Sequence, residues 1–204
     1  MITFLHTAKA NIQRFEDLVQ KHAPGTKVQH YVNEELLKYA IENGHADTEA
    51  FKLEADQIMA ATNGTIVCTC SSYGEACDQF SGIERIDRPV VEYLVDRYEQ
   101  IGLAYTAKST LAMSRNLIEA VAKNKGKRVE VIEIDCSHCW PYFIAGDADR
   151  YVKEIARHIK NNPTPAEAIF LAQASMENSK MYLDNYPIEV MASPEYGVIT
   201  YLQR

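Results

Sequence analysis

One stretch of the chain gathers residue types that could do chemistry: Thr65-Ile66-Val67-Cys68-Thr69-Cys70-Ser71-Ser72-Tyr73-Gly74. An apolar run of strand type ends in a cysteine and two serines, and a helical pattern resumes at about Glu75. That spacing sets Cys70 at or near a helix N-terminus, where free N–H groups and the helix dipole favour a thiolate and attract an anion. Ser71 and Ser72 add hydroxyls able to hydrogen-bond a carboxylate. Cys68 alternates into the strand and reads as a small core residue. The chemistry expected of the segment is nucleophilic or acid–base work by one thiol, Cys70.

Other strand ends carry related clusters. In Ala168-Ile169-Phe170-Leu171-Ala172-Gln173-Ala174-Ser175-Met176, Gln173 takes the position matching Cys70, and Ser175 that matching Ser72. His6 and Thr7 close the first strand, and Ser193-Pro194 closes the last. Ser109 and Thr110 precede the helical pattern at Leu111, so one of them is expected as its N-cap. Facing caps would also make a carboxylate cradle. The substrate-binding set expected with Cys70 is therefore His6, Thr7, Ser71, Ser72, Ser109, Thr110, Gln173, Ala174, Ser175 and Ser193. Cys136-Ser137-His138-Cys139-Trp140 forms the chain's one Cys-x-x-Cys pair. A structural zinc site uses two well-spaced pairs, and a thioredoxin-like motif has different surroundings, so no metal is assigned. Pocket lining by His138 and Trp140 is preferred, and His138 or Cys136 is an alternative source of a second acid–base group.

These residues need elements to hold them. Strand patterns at Ile2–Thr7, Lys27–Asn33, Thr65–Thr69, Gly102–Tyr105, Arg128–Asp135, Ala168–Ala172 and Ile188–Ala192 alternate with helical ones. Ile12, Phe15, Leu18 and Val19 share one helical face, and Leu111, Leu117, Ile118 and Val121 share another. Alternation of this kind predicts an α/β fold of parallel sheets with right-handed crossovers, whose ligands bind beyond the carboxyl ends of the strands. Tyr93, Leu94, Tyr98 and Ile101 recur at helical spacing as core or subunit interface, which leaves room for a homo-oligomer. Asp47-Thr48-Glu49 and Asp147-Ala148-Asp149 read as acidic helix starts. Asn178–Tyr186 reads as polar surface.

Three of the strand regions also repeat in order. Leu5-His6-Thr7-Ala8-Lys9-Ala10 resembles Ala104-Tyr105-Thr106-Ala107-Lys108-Ser109 at an offset of 99, and the next two pairs of segments match at offsets of 101 and 103. Duplication explains the order and the spacing together. It predicts two pseudo-symmetric α/β halves, 1–91 and 92–204, with 195–204 packing back on the first and an active-site cleft between them.

Composition narrows the function classes. Among 204 residues, 21 Lys+Arg against 28 Asp+Glu give a formal charge of −7, which argues against nucleic acid as partner. With 47% hydrophobic and 24% charged residues the chain is neither disordered nor fibrous. No apolar run approaches the roughly 20 residues that cross a bilayer, and no secretory signal is visible, so no membrane partner is expected. Five cysteines, an odd number, suit reduced thiols in the cytoplasm. No Gly-x-Gly-x-x-Gly or P-loop appears, which disfavours a nucleotide cofactor.

The chain resembles the aspartate/glutamate racemase superfamily, in its Asp/Glu/hydantoin racemase-like branch. Cys70-Ser71-Ser72 is similar to that family's first Cys-Asn-Thr-type motif, and Ala172-Gln173-Ala174-Ser175 to its second, Gly-Cys-Thr-type motif. Ile86-Asp87-Arg88-Pro89 and Ser109-Thr110 also resemble positions in the branch. The resemblance implies a cofactor-independent enzyme in which one thiolate removes the proton α to a carboxylate and an opposite thiol returns one. Gln173 stands where the second cysteine would be, and an amide cannot act as acid or base near neutral pH. The resemblance therefore implies an isomerase or lyase acting on a small carboxylate or amino-acid-like substrate, with Cys70 as its single catalytic thiol. The competing expectation is a small-carboxylate-binding protein on a degenerate racemase scaffold.

Overall fold

The computed structural model describes residues 2–203, which divide into two units: residues 2–89 with 194–203, and residues 90–193. In the first unit β1 (Ile2–His6), β2 (Val28–Val32), β3 (Thr65–Cys68) and β4 (Ile83–Arg85) form a parallel sheet in the order β2-β1-β3-β4. The crossovers are α1 (Asn11–His22), α2 (Glu34–Asn43) with α3 (Thr48–Ala61), and the short α4 (Gly74–Cys77). The chain passes to the second unit in α5 (Arg88–Arg97). There β5 (Gln100–Tyr105), α6 (Lys108–Asn124), β6 (Glu130–Asp135), α7 (Trp140–Ile144), α8 (Ala148–Asn161), β7 (Ala168–Leu171) and β8 (Glu189–Ala192) follow. Their sheet is again parallel, in the order β6-β5-β7-β8. The last helix, α9 (Ser193–Leu202), lies almost wholly in the first unit.

Residue type explains the layering. Every residue of β1 and of β7 is buried, as central parallel strands covered on both faces require; β7 reads as an unbroken apolar run, and β1 buries Thr3 and His6 among its apolar residues. The edge strands β2 and β6 carry the exposed polar positions. Leu5, Leu36, Phe51, Ile58, Ile66 and Tyr73 belong to the core of the first unit. Ile134, Tyr151, Ile155, Ile169, Leu171 and Leu183 belong to that of the second. Asp47 caps α3 by accepting the Ala50 N–H at 3.0 Å, and Asp147 caps α8 by accepting that of Arg150 at 3.2 Å.

The two units are internally equivalent. Asn33 N donates to His6 O, and Cys136 N donates to Tyr105 O; Thr69 N donates to Leu5 O, and Ala172 N to Ala104 O. The central strands thus correspond at an offset of 99 and both flanking strands at 103 (His6 to Tyr105, Asn33 to Cys136, Thr69 to Ala172). The offset of 101 expected for the second strand is corrected by two residues, a shift that leaves the same side chains on the same face.

Other departures from expectation have local causes. Only three residues long, β4 is too short to show a period. Ile101 lies in β5 rather than on a helix with Tyr93, because α5 ends at Arg97. The stretch after β7 forms 3-10 turns from Ala174 to Tyr182 that bury Ser179, with Leu183 buried after them, so Asn178–Tyr186 is only partly surface. Lys127, beyond the end of α6, closes α5 by donating Nζ to the carbonyls of Val95 at 3.2 Å and Asp96 at 2.5 Å. Within the first unit, α9 is tied by Tyr201 donating to Arg85 O at 2.8 Å and by Lys21 meeting Glu195 at 2.7 Å. A side chain on Gly197 would start 2.5 Å from Ile86 O, so only glycine lets the helix come this close.

Candidate functional site

After β3 the chain passes through Thr69 and Cys70 in extended conformation, then makes a 3-10 turn over Ser71–Tyr73 that runs into α4. Cys70 is partly exposed there, whereas Cys68 and Cys77 are buried. Three donors reach the Cys70 sulfur: the Thr7 hydroxyl and the N–H groups of Ser72 and Tyr73. They favour the thiolate, but burial outweighs them, with Cys68 adding to it, and the thiol is pushed up to about 11. The balance favours the thiol over the expected thiolate at neutral pH.

The turn behind Cys70 is held on both sides. Tyr73 OH donates to Leu36 O at 2.8 Å and accepts from Asp47 N at 3.2 Å, and its ring stacks on Phe51. On the other side Arg85, only 2% exposed, forks onto Asp87 at 2.9 and 3.0 Å and reaches Asp78 at 3.1 Å. Its guanidinium passes directly under Gly74, where an added Cβ would lie 2.2 Å from it. Arg88 pairs with Asp78 as well. Asp87 and Arg88, which the family resemblance singled out, therefore clamp α4 to the end of β4.

Thr7 closes β1 beside Cys70. His6 is fully buried, with Nδ1 2.8 Å from Thr69 Oγ and Nε2 2.9 Å from His30 Nδ1. His30 Nε2 continues to Glu16 at 3.2 Å. Burial, then the neighbouring His30, lowers the His6 pKa to about 3, so its ring is neutral. Both ring nitrogens are committed to linking β1, β2 and the end of β3.

In the second unit Gln173 holds the position equivalent to Cys70, and its neighbour also turns at once (Met176 N to Gln173 O, as Tyr73 N to Cys70 O). Its Oε1 accepts from Thr106 N at 2.7 Å, Ala107 N at 2.9 Å and Thr106 Oγ at 3.0 Å. Two backbone N–H groups facing one atom settle which end of the amide is oxygen. Gln173 thus serves as the cap expected of Ser109 or Thr110, which instead sit buried in the first turn of α6 behind the N-cap Ala107. Thr106 Oγ meets Tyr151 OH at 2.8 Å, and that hydroxyl meets Ser175 Oγ at 3.0 Å. Ala174 is buried beside Gln173. Ser193 is fully buried at the start of α9, and its hydroxyl has no partner among the described residues.

The structure thus brings Cys70, Thr7, Ser71 and Ser72 together at the carboxyl ends of β1 and β3, and Gln173, Thr106 and Ser175 at those of β5 and β7. Thr106 and Tyr151 were not singled out by sequence as site residues. The repeat of Thr7-Ala8 in Thr106-Ala107 was the available signal for the first; nothing local marks Tyr151. Cys136 and Cys139 are fully buried, and Cys139 Sγ lies 3.3 Å from His138 Nε2. Burial pushes Cys136 up to about 12 and Cys139 to about 11, the state of inert core thiols. Among the described residues no group of three or more His, Cys, Asp and Glu could hold a metal ion, and no helix is long and apolar enough to cross a membrane. A groove of about 610 Å³ lined by Lys160, Pro163, Tyr182, Asp184, Tyr186 and Pro187 lies where the chain enters β7 and β8, the end opposite Gln173.

No family model matches the sequence, and no curated protein matches it. Solved structures do match. A glutamate racemase from Bacillus anthracis superposes with a TM-score of 0.75 at 12% identity, over 100% of this chain and 80% of that one. An aspartate racemase from Picrophilus torridus gives 0.73 at 12% identity over 99% and 92% of the two chains. An allantoin racemase from Klebsiella pneumoniae gives 0.60 at 12% identity over 99% and 86%. With two parallel sheets of identical strand order in register, the chain has the fold of the glutamate, aspartate and allantoin racemases.

Proposed function

We propose that the chain is a cofactor-independent enzyme of isomerase or lyase type, acting on a small carboxylate or amino-acid-like substrate with Cys70 as its single catalytic thiol. The observation that carries this reading is the Cys70 sulfur at the carboxyl end of β3, met by the Thr7 hydroxyl and the Ser72 and Tyr73 N–H groups. The fold shared with three kinds of racemase supports it. A thiol that rests protonated enters the reaction as an acid. It gives its proton to the carbanion left when a substrate loses CO₂, and the three donors hold the thiolate that remains; that thiolate, before water reprotonates it, is also the base that takes the proton α to a carboxylate and, as the thiol so formed, returns one. Reprotonation from water or from the next α-carbon closes the cycle. Gln173 has no proton to exchange near neutral pH, so two-thiol racemisation is not part of this proposal.

The test is proton exchange. The protein in D₂O is offered aspartate, glutamate, allantoin and simple α-substituted carboxylates in turn, and deuterium at the α-carbon or any turnover is read by mass spectrometry. Exchange that disappears in Cys70→Ala supports the thiol; full exchange in that variant would falsify it. The second reading, a small-carboxylate-binding protein, is favoured by the raised Cys70 pKa. Saturable binding of one of these compounds without exchange would establish it instead.

A further inference from the structure

The backbone after β1 follows the backbone after β5. Asn11 N donates to Ala8 O at 3.0 Å, and Thr110 N donates to Ala107 O at 3.0 Å, again at an offset of 99. The threonines correspond as well: Thr106 Oγ donates to Gln173 Oε1, and the Thr7 hydroxyl hydrogen-bonds the Cys70 sulfur. In the second unit the N–H groups of Thr106 and Ala107 converge on one amide oxygen. Their counterparts on Thr7 and Ala8 meet no acceptor among the described residues, although Thr7 is only 3% exposed. A glutamine at position 70 could reach them; the cysteine sulfur ends two covalent bonds short. The next N–H along, that of Lys9, already takes a carboxylate oxygen, from Glu34 at 3.1 Å.

We infer that the Thr7 and Ala8 N–H groups form an oxygen-binding cradle beside Cys70 that takes one carboxylate oxygen of a small-molecule ligand. The second unit displays the cradle with its occupant, an sp² oxygen held by two N–H groups and a hydroxyl. Successive N–H groups of one bend make a concave donor surface suited to a negative oxygen. A buried N–H without a partner costs free energy that a ligand oxygen recovers. A carboxylate gains more than an amide there, because hydrogen bonds to a charged acceptor are about twice as strong. Cys70 therefore differs from Gln173 in more than its sulfur: by being short it leaves the cradle to a ligand. The inference rests on the proposed carboxylate substrate and deepens it, by giving one carboxylate oxygen a named position next to the thiol.

The test is a titration of the ¹⁵N-labelled full chain with sodium acetate, read in amide correlation spectra, with sodium chloride at equal ionic strength as control. The cradle predicts saturable downfield shifts of the Thr7 and Ala8 amides that chloride does not reproduce, while Thr106 and Ala107 stay put. Cys70→Ser keeps the response. Cys70→Gln loses it, with affinity for acetate falling about tenfold or more as the new side chain fills the cradle. No saturable shift in the unmodified protein overturns the inference, and so does an undiminished shift in a folded Cys70→Gln. Should that variant fail to fold, the unmodified protein and Cys70→Ser still decide the matter. Acetate binding that persists in Cys70→Ser without isotope exchange leaves the cradle standing and supports the thiol's role. Exchange that persists in Cys70→Ala sinks the thiol and leaves the cradle to the titration.

Discussion

Replacing Gln173 by methionine keeps the length of the side chain and deletes the one atom that Thr106 N, Thr106 Oγ and Ala107 N share. Each of these hydrogen bonds contributes about 1 kcal/mol net, and a donor left buried without a partner costs more, so the expected loss is about 2–4 kcal/mol. In a chain of this size that lowers Tm by about 6–12 °C. Gln173→Glu separates capping from mere size. Its carboxylate keeps an acceptor in the same place, forms charge-assisted bonds and sits at the positive end of α6. Its stability at pH 7 should equal or exceed that of the unmodified chain. The sign of the pH dependence follows from the donors: they depress the folded-state pKa of the new glutamate below its unfolded value near 4.3. The gain is therefore present above about pH 4.3 and is lost as pH falls through the folded pKa. Urea unfolding of the three proteins at pH 7 and pH 4 measures all of this. If Gln173→Met lies within about 0.5 kcal/mol of the unmodified chain, the three contacts do not hold the second unit's strand ends and the cradle argument loses its template.

Three further outcomes follow from the same geometry. At pH 8 a thiol with a pKa of about 11 is about one-thousandth thiolate, so Cys70 should react with iodoacetamide about a hundredfold more slowly than an ordinary thiol, its rate still rising at pH 10. A rate that levels off near pH 8, read at Cys70 by peptide mass mapping, would contradict the burial argument. Gly74→Ala should destabilise the protein by about 3 kcal/mol or more, because the added methyl must displace the Arg85 guanidinium from its buried fork on Asp87; unchanged urea unfolding would show that the clamp has slack. His6 is a base whose folded pKa of about 3 lies below its unfolded value near 6.5. Its contribution is complete above pH 6.5 and falls by up to about 1.4 kcal/mol per pH unit below it. His6→Gln should flatten the stability profile between pH 6.5 and 5, and an unaltered slope would assign the titration elsewhere.

Much of the fold could be read from the chain because parallel strands covered on both faces must be apolar throughout, and helices that cover them must be amphipathic. Phe4 and Leu5 in β1, or Ile169 to Leu171 in β7, fill the core between sheet and helices. The three-residue β4 carries no period, and Ile101 continued a helical spacing by coincidence, since only the tertiary ladder to Val131 and Ala168 distinguishes it as strand. The site was legible in position and not in state. Cys70 stands where the alternation of Cys68, Thr69 and Cys70 puts it, but whether its sulfur is charged depends on how much water the folded chain excludes. No spacing rule states that. The hydrogen bonds of His6 were hidden for a similar reason: that its two nitrogens would find Thr69 and His30 depends on contacts 63 and 24 residues away. Capping of α6 by Gln173 rather than by Ser109 likewise comes from a residue 66 positions along the chain from Ala107.

The pairing of Thr7 with Cys70 and of Thr106 with Gln173 shows where the two units differ. Strand order, ladder register, the turn after the central strand and the hydroxyl at its end are all kept between them. What differs is the residue that the hydroxyl meets, a sulfur in one unit and an amide oxygen in the other. Backbone N–H donors do not depend on side-chain identity, so two units of the same backbone can both present them while their side chains differ. The length of one side chain then decides what each set of donors does. A long amide turns the donors inward and makes them part of the scaffold, whereas a short thiol leaves them for something that enters from outside. On this argument the first unit is where a ligand oxygen belongs, and the substitution that best exchanges the two behaviours is a swap of Cys70 and Gln173.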